Sequence, residues 1–141
     1  MMARRVLLPS VETQTVAFVE DARARGWPIV SEWVGWNGFK VYLRYVREYT
    51  IKEELIGEVL VIANIEIPAR WQRRGWFWRY CQLCIALVEN GIAIESAYNP
   101  WLRDALARRK PFVEWWPNQF VLVKKRQAEW PLILVDPAGK G

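Results

Sequence analysis

The sequence contains no histidine and only two cysteines. Without histidine, neither a Ser-His-Asp nor a Cys-His nucleophile can form, so proton transfer falls to carboxylates, tyrosines, lysines, water or the backbone. Cys81 and Cys84 form one C-x-x-C pair, and no second pair is present to complete a zinc site. A thioredoxin-like pair would begin a helix, whereas this pair lies well inside one. We therefore predict no metal site and interpret both thiols as core packing.

Long hydrophobic runs are also lacking. The longest, Val59 to Ala63 and Cys84 to Val88, fall far below the ~18 residues that a membrane span needs. The apolar run Val6 to Leu8 is shorter than the ~7 to 15 residues of a signal peptide. No repeat, low-complexity stretch or linker-like change in composition divides the chain. We expect a single cytoplasmic domain over residues 1–141, without membrane contact.

The charge and the aromatic content favour a binding surface. The formal net charge of +5 suits a ligand that carries phosphates, a nucleic acid or an acidic protein equally well. Ten tryptophans in 141 residues are more than a core of this size can hold, so several must contact solvent or a partner. Lys40, Tyr42 and Arg44 alternate on one strand, as in some RNA-binding sheets. Such patterns are common on exposed strands, and nucleic acid is therefore the less favoured partner.

The order of predicted elements indicates a mixed sheet covered by helices. Ser10 can cap a helix that ends at Arg25 and Gly26, and Asn37-Gly38 is a strong hairpin signal. An alternating, half-buried strand follows over 39–49. The remaining patterns predict a strand over 57–67, a helix over 75–90, a short strand over 92–96, a helix over 100–110, a hairpin of 112–116 with 119–125, and a last strand over 132–135.

The strand over 57–67 is the most informative. Strict alternation would place Val59, Val61, Ala63, Ile65 and Ile67 on one face, and Leu60, Ile62, Asn64 and Glu66 on the other. The second face then becomes polar towards the carboxyl end, where open α/β sheets place their ligands. A basic turn follows, and a helix opens at Gly75. Unpaired N–H groups from Arg73 to Trp76, with the positive end of that helix, would bind a pyrophosphate.

The run Gln72-Arg73-Arg74-Gly75-Trp76-Phe77 after this strand resembles the acetyl-CoA binding motif of the GCN5-related N-acetyltransferase superfamily, Q/R-x-x-G-x-G/A. The later run over 99–112 resembles the next strand-to-helix element of that family, in which an asparagine, here Asn99, opens the helix. Together these segments cover residues 57–116, the expected CoA-binding core. The resemblance implies an acyl-CoA N-acyltransferase fold of the mixed α+β class, with a mostly antiparallel central sheet flanked by helices.

The resemblance also implies roles for individual residues. In the family the strand before the turn parts from its neighbour at a bulge and pairs with the pantetheine arm; the matching positions are Ile65, Glu66 and Ile67. Residues 72–77 would hold the pyrophosphate. Glu66 matches a position that many members use as the base, with Glu95 and Asn64 as secondary candidates. Many members protonate the leaving thiolate with a tyrosine, where this chain has Leu106 or Ala107, which leaves Tyr98 as a substitute acid.

The chain departs from the family pattern at several points. Phe77 is bulky where the motif ends in glycine or alanine, one extra residue lies between Pro68 and Gly75, and Pro111 replaces the glycine of a Gly-Phe pair. Two functions therefore stay open. One is an N-acetyltransferase that transfers the acetyl group of acetyl-CoA to a primary amine of a small molecule or a protein. The other is a fold-retaining protein-interaction module with weakened CoA chemistry. Compact versions of the family also occur in phages.

The tryptophan-rich surface is where we expect a protein partner of such a module to bind. We also hypothesise a homodimer contact at Trp115 and Trp116. The acceptor is not predicted, because the family builds its acceptor groove from its variable first helices and last strands.

Overall fold

The computed structural model describes residues 8–95, 100–109 and 112–124. Within these ranges the chain is mixed α+β, with three α-helices and six strands, as the element order predicts. The elements are α1 (Val11–Arg25), β1 (Ile29–Trp36), β2 (Phe39–Ile51), β3 (Glu54–Glu66), α2 (Trp76–Leu87), β4 (Gly91–Ile94), α3 (Pro100–Arg108), β5 (Val113–Trp116) and β6 (Gln119–Val123). The strand predicted over 132–135 lies outside the described residues.

The strands form one mostly antiparallel sheet in the order β1-β2-β3-β4-β6-β5. Among the described strands, β3 and β4 are the one parallel pair, and α2 provides the crossover between them. Parallel neighbours need such a crossover, whereas the other neighbours pair as antiparallel strands. The crossover helix α2, which follows the basic turn, therefore meets the sheet at the boundary between β3 and β4.

The first helix has the caps that its sequence predicts. The Ser10 side chain accepts a hydrogen bond from the Thr13 N–H at 3.1 Å, which satisfies one of the free donors of the first turn. Gly26 ends the helix with a φ of +74°, a left-handed conformation that glycine adopts without steric cost. The buried face, which includes Val11, Phe18 and Ala22, packs into the main core.

The two faces of the sheet carry different cores. We call the side covered by the helices the helix face; its cluster includes Leu43, Leu60 and Ile92 together with buried side chains from all three helices, such as Phe18, Phe77 and Leu106. The other side, which we call the opposite face, has a smaller cluster of Val59, Val61, Ala93 and Val121. Half-buried side chains such as Tyr49 and Trp115 pack against this smaller cluster. None of the described helices contributes to it.

The alternation predicted for the central strand is wrong beyond Ile62. Tyr42 of β2 pairs with Asn64 and Leu43 pairs with Ile62, so Ala63 is an extra residue, a β-bulge. The bulge shifts the following residues by one position, because side chains alternate with a period of two. Ile65 and Ile67 accordingly pack with Leu60 and Ile62 on the helix face instead of with Val59 and Val61. Asn64 and Glu66 therefore lie on the opposite face.

The second helix ends earlier than predicted. It stops at Leu87, and Val88 is extended with a φ of −125° because its side chain is buried in the main core. The Leu87 carbonyl accepts a hydrogen bond from Arg23 Nη2 at 2.7 Å. Cys81 and Cys84 are free thiols buried in this core, where burial raises the pKa of Cys84 to about 12. A thiol with so high a pKa is protonated at neutral pH, so Cys84 acts as a packing residue.

No helix in the described part of the chain is long and apolar enough to cross a membrane. The same residues hold no cluster of three or more carboxylate or thiol ligands suited to a metal ion.

Candidate functional site

The basic turn between β3 and α2 is tightly folded. A single 3-10 turn, Ala69–Trp71, begins it, with the Trp71 N–H donating to the Pro68 carbonyl at 2.8 Å. The Gln72 side chain then closes the turn, because its Nε2 donates to the Ile67 carbonyl at 2.9 Å. The sequence motif predicts Gln72 as a ligand contact, which stays a prediction; in the structure one hydrogen of its amide is used in this backbone bond. Gln72 thus holds the turn against the end of β3.

Two residues of the turn adopt left-handed backbone conformations. Arg73 has a φ of +62° and Gly75 a φ of +81°, and Arg74 lies between them. Alternation of this kind directs successive N–H groups into one concavity, which is the backbone arrangement of an anion-binding nest. A Cβ at Gly75 would lie 3.1 Å from Arg79 Nη1 and would carry a strained φ. Glycine adopts this conformation without steric cost, whereas any other residue would be strained here and would displace the flexible Arg79 side chain.

The first turn of α2 offers free donors to this concavity. Gly75 is the N-cap and has no side chain that could accept a hydrogen bond, and the first backbone bond of the helix runs from the Arg79 N–H to the Gly75 carbonyl at 3.2 Å. Trp76, Phe77 and Trp78 belong to the first turn, whose N–H groups have no carbonyl acceptor within the helix. Free N–H groups and the helix dipole together favour a negatively charged group at this point.

Four arginines surround the turn: Arg70, Arg73, Arg74 and Arg79, all exposed. The Arg74 guanidinium lies 5.8 Å from the centre of the Trp71 ring, and Arg79 Nη1 donates to the Arg74 carbonyl at 3.3 Å. These contacts keep the two guanidinium groups close to the turn. Arginine forms its strongest hydrogen bonds with phosphates and carboxylates. The turn is therefore a concentrated positively charged surface.

Phe77 does not crowd this surface. Its side chain is 3% exposed and belongs to the main core, where its ring meets that of Trp78 at 5.1 Å between centres. The motif has a small residue at this position, whereas here the larger Phe77 side chain fits into the protein core. Its backbone N–H stays in the first turn of α2. The departure at this position is thus a packing difference.

The two parallel strands separate just before the turn. Pairing of β3 with β4 ends at Ile62 and Ile94, with a last hydrogen bond from the Glu95 N–H to the Ile62 carbonyl at 3.0 Å. From Ala63 to Glu66, β3 pairs with β2 alone within the described residues. The bulge at Ala63 thus coincides with the last described β3–β4 pair; residues 96–99, which follow Glu95, lie outside the described residues.

The residues predicted on this free segment divide between the two faces. Ile65 and Ile67 are half-buried against the main core. Asn64 and Glu66 are exposed on the opposite face, where the register pairs Glu66 with Lys40. Glu66 has no hydrogen bond or ion pair to another described residue. It is accessible to an incoming molecule, but no described neighbour holds its carboxylate in one orientation.

Glu95 lies at the point of separation and is held in place. Its carboxylate forms an ion pair with Arg44, with 2.9 Å between Oε1 and Nη1, and both side chains are only partly exposed. Tyr49 is close to this pair: burial first, and then the Glu95 charge, raise the pKa of its hydroxyl to about 12. A protonated phenol, a carboxylate and a guanidinium therefore adjoin the gap between β3 and β4.

Four residues that the sequence analysis named for the acid and for the helix opening remain. Tyr98 and Asn99 lie outside the described residues. Leu106 is fully buried and Ala107 is exposed on α3, so neither replaces the missing tyrosine. Conversely, sequence analysis missed Arg79, Arg44 and Tyr49. Arg79 could have been found from its place one helical turn after Gly75, but Arg44 and Glu95 are 51 residues apart, and no local pattern pairs them.

Comparison of the chain with protein-family models, with curated proteins and with solved structures gave no match. The support for the candidate site is therefore the geometry of the site alone.

Proposed function

We propose that the chain has the GCN5-related acyltransferase fold and binds a CoA thioester across the basic turn and the gap between β3 and β4. The observation that carries the proposal is the conjunction of three features at the carboxyl end of β3. These are the bulge at Ala63, the end of the described β4 pairing at Ile62, and the left-handed Gly75 that opens α2. The resemblance noted in the sequence implies all three, although it was drawn from residue types alone.

In this proposal each part of CoA has its own partner. The pyrophosphate binds to the N–H groups of Trp76, Phe77 and Trp78 and to the guanidinium groups of Arg73, Arg74 and Arg79. The pantetheine amides pair with the open backbone of Ile65 and Glu66, as an added strand would. The thioester then reaches the gap beside Glu95, on the side where Asn64 and Glu66 are displayed.

The reaction proposed is acetyl transfer to a primary amine. The amine nitrogen, in its neutral form, attacks the thioester carbonyl carbon, the carbon–sulfur bond breaks, and CoA leaves as a thiolate. The amine gives up one proton, directly or through water, to Glu66, and the thiolate takes up one proton from an acid or from water. Because both reactants are held in one complex, proximity supplies much of the rate, so the reaction does not require a dedicated acid.

The binding step is tested by titration calorimetry of acetyl-CoA and CoA against the protein. Gly75→Glu places a charge and a Cβ in the anion site, and we expect it to weaken binding at least ~100-fold. Gly26→Glu is the matched control: Gly26 is also left-handed and ends α1, and a Cβ added there would meet no atom within 4 Å. Equal affinity in the two variants, or no binding by the unaltered protein at millimolar ligand, would refute the proposed site.

The catalytic step is tested by thiol release with a panel of amines. Glu66→Gln should lower kcat and leave the CoA affinity unchanged, and Glu95→Gln, which leaves Arg44 unpaired, distinguishes the second carboxylate. If thiol release depends on Glu95 and not on Glu66, the assignment of the base is wrong although the reaction stands.

One observation favours the second candidate function, a protein-interaction module that retains CoA binding or only the fold. Glu66 has no described partner to orient it, whereas large aromatic side chains are exposed: Trp27, Trp33, Trp36 and Trp116 are 40% to 59% exposed. CoA binding without thiol release for any amine tested would favour this function.

A further inference from the structure

The outer edge of β1 is open over a short and well-defined window. β1 is the first strand of the sheet, and among the described residues it pairs only with β2, in an unbroken antiparallel register from Ile29 to Trp36. Residues opposite one another in such a pair alternate between hydrogen-bonded and non-hydrogen-bonded positions. The Asn37-Gly38 turn, with φ values of +51° and +89°, makes Trp36 and Phe39 a hydrogen-bonded pair. The N–H and C=O groups of Ile29, Ser31, Trp33 and Gly35 therefore point outward.

Side chains close this window at both ends. At one end the Gln14 amide pairs with both groups of Gly35, since Oε1 accepts from the Gly35 N–H and Nε2 donates to its carbonyl, each at 2.9 Å. At the other end, Arg47 Nε donates to the Trp27 carbonyl at 3.1 Å. Between them, Ile29, Ser31 and Trp33 have no hydrogen-bond partner for their outward groups within the described residues. The window is thus centred on Ser31.

The side chains in this window do not protect the edge. Natural sheets block their edges with lysines, prolines or bulges, or keep them very short. β1 has none of these devices between Ile29 and Trp36, and its single charged residue, Glu32, is buried on the helix face. Ile29 and Trp33 are 53% and 44% exposed. The edge on the far side differs, because β5 has four residues and an irregular register at Trp115.

We propose that the β1 edge binds a second copy of this chain, joining the two sheets into one across a two-fold axis at Ser31. An antiparallel pairing centred there puts Ser31 opposite Ser31, and Ile29 of each copy opposite Trp33 of the other. Every outward N–H and C=O group of the window then meets a complementary group, which is the self-complementarity that a two-fold interface requires. A second copy has the same open window with the same two ends, so the two edges match in length and position.

Trp33 is positioned in advance for this contact. Its ring lies 4.9 Å from that of Tyr42, between centres, and the Lys40 ammonium lies 4.7 Å from the ring centre. An aromatic side chain already fixed in the monomer loses little conformational freedom on association. This proposal is independent of CoA binding, and it differs from a dimer contact at Trp116, which lies on the far edge of the sheet.

The proposal is tested by sedimentation velocity over a range of protein concentrations. We expect a concentration-dependent monomer–dimer equilibrium, and Ser31→Pro should weaken it at least ~10-fold. Proline is tolerated where a strand N–H faces solvent, but its ring and its missing donor block the edge. Trp116→Ser is the control and should leave association unchanged. A monomer at every concentration, or a dimer that responds to Trp116→Ser and not to Ser31→Pro, would overturn the proposal.

The register is tested by exchanging charges. Ile29→Lys alone and Trp33→Glu alone should each weaken the dimer, whereas the double variant should recover part of it because the introduced charges then face each other across the axis. Backbone amide exchange identifies any other occupant. Slow exchange at Ile29, Ser31 and Trp33 in a strictly monomeric sample would mean that another segment of the same chain covers the edge, and this too would refute the second copy.

Discussion

Phe77 shows how one residue can break a motif without changing the surface that the motif forms. The sequence suggests that a bulky ring obstructs the phosphates, whereas the structure buries that ring in the main core. We expect Phe77→Ala to lower the free energy of unfolding by about 3 to 4 kcal/mol, because it leaves a cavity in a packed core. Chemical denaturation measures this change.

Trp36→Ala is the comparison. Because Trp36 is 40% exposed, this substitution should lower the free energy of unfolding far less. If Phe77→Ala is nearly neutral in stability and tightens CoA binding, the ring faces the ligand after all, and its assignment to the core is wrong.

Glu58 is the residue that connects the most elements. Its carboxylate accepts two hydrogen bonds from Arg23, one from the Tyr45 hydroxyl and one from the Glu89 N–H. Burial alone would raise the pKa of Glu58, but the hydrogen bonds from Arg23, Tyr45 and Glu89 outweigh it and hold the pKa below its usual range. The end of α1, β2, β3 and the segment after α2 thus meet at one negative charge.

The lowered pKa of Glu58 predicts acid sensitivity. The ionised carboxylate stabilises the fold fully above the pKa of an unfolded glutamate, about 4.3, and this contribution is lost as the pH falls through the lower folded value. Glu58→Gln should lower the free energy of unfolding by about 3 kcal/mol at pH 7, since it leaves Arg23 and the other donors poorly paired.

The same substitution should flatten the loss of stability below about pH 5, where the unaltered protein loses this contribution as the pH falls through the lowered pKa of Glu58. Thermal unfolding as a function of pH gives both quantities. Glu48→Gln, at an exposed position on β2, serves as the control and should reproduce the acid sensitivity of the unaltered protein.

At the scale of elements, the bulge in β3 creates the gap. Deleting Ala63 would remove the extra residue and let Ile62 and Asn64 pair directly with Leu43 and Tyr42. The side chains after it would keep their faces, because the deletion compensates for the shift that the bulge introduces. We therefore expect a folded protein, destabilised by about 1 kcal/mol, whose CoA affinity falls at least tenfold.

Circular dichroism and calorimetry measure the two effects separately. Ala63→Ser keeps the residue count, and with it the bulge, so it should bind CoA normally. Full affinity in the deletion variant would mean that the separation of β3 from β4 does not depend on the bulge.

The elements themselves were largely predictable, and the bulge was not. Ser10, Gly26 and the Asn37-Gly38 pair each act locally, so the α1 boundaries and the first hairpin were read correctly from the sequence. The segment around Ala63 is apolar on both faces because both are covered near the centre of the sheet. Alternation carries no information on register where both faces are apolar, and a one-residue shift leaves no trace in the pattern.

The site was predictable to a similar degree. Gly75 and the arginines around it form a local motif, so the sequence indicated the basic turn that opens α2; its binding of an anion stays a prediction. The pair of Arg44 and Glu95 depends on the β2–β3 and β3–β4 registers together, which only the folded sheet defines. The same holds for the edge of β1, where Gln14, 21 residues away in sequence, decides where the open window ends.

At the scale of the whole molecule, the net charge of +5 acts on the two proposed contacts with opposite sign. Binding of CoA at the arginine-rich turn joins unlike charges, so added salt screens the attraction and weakens it. Association through β1 brings two cationic copies together, with Lys40 and Arg44 on the neighbouring strand. Here added salt screens a repulsion, and the backbone and apolar contacts that hold the edges together change little.

We therefore expect that raising the salt concentration from 50 to 500 mM, a range over which the Debye length falls from about 14 Å to about 4 Å, lowers the CoA affinity and strengthens the dimer. Calorimetry and sedimentation in the same buffers measure both trends, with sucrose in place of salt as the control for excluded-solute effects. A dimer that dissociates in salt would indicate an interface formed by ion pairs. Because β1 carries a single charged residue, and that residue is buried on the helix face, such an interface would have to lie elsewhere on the molecule.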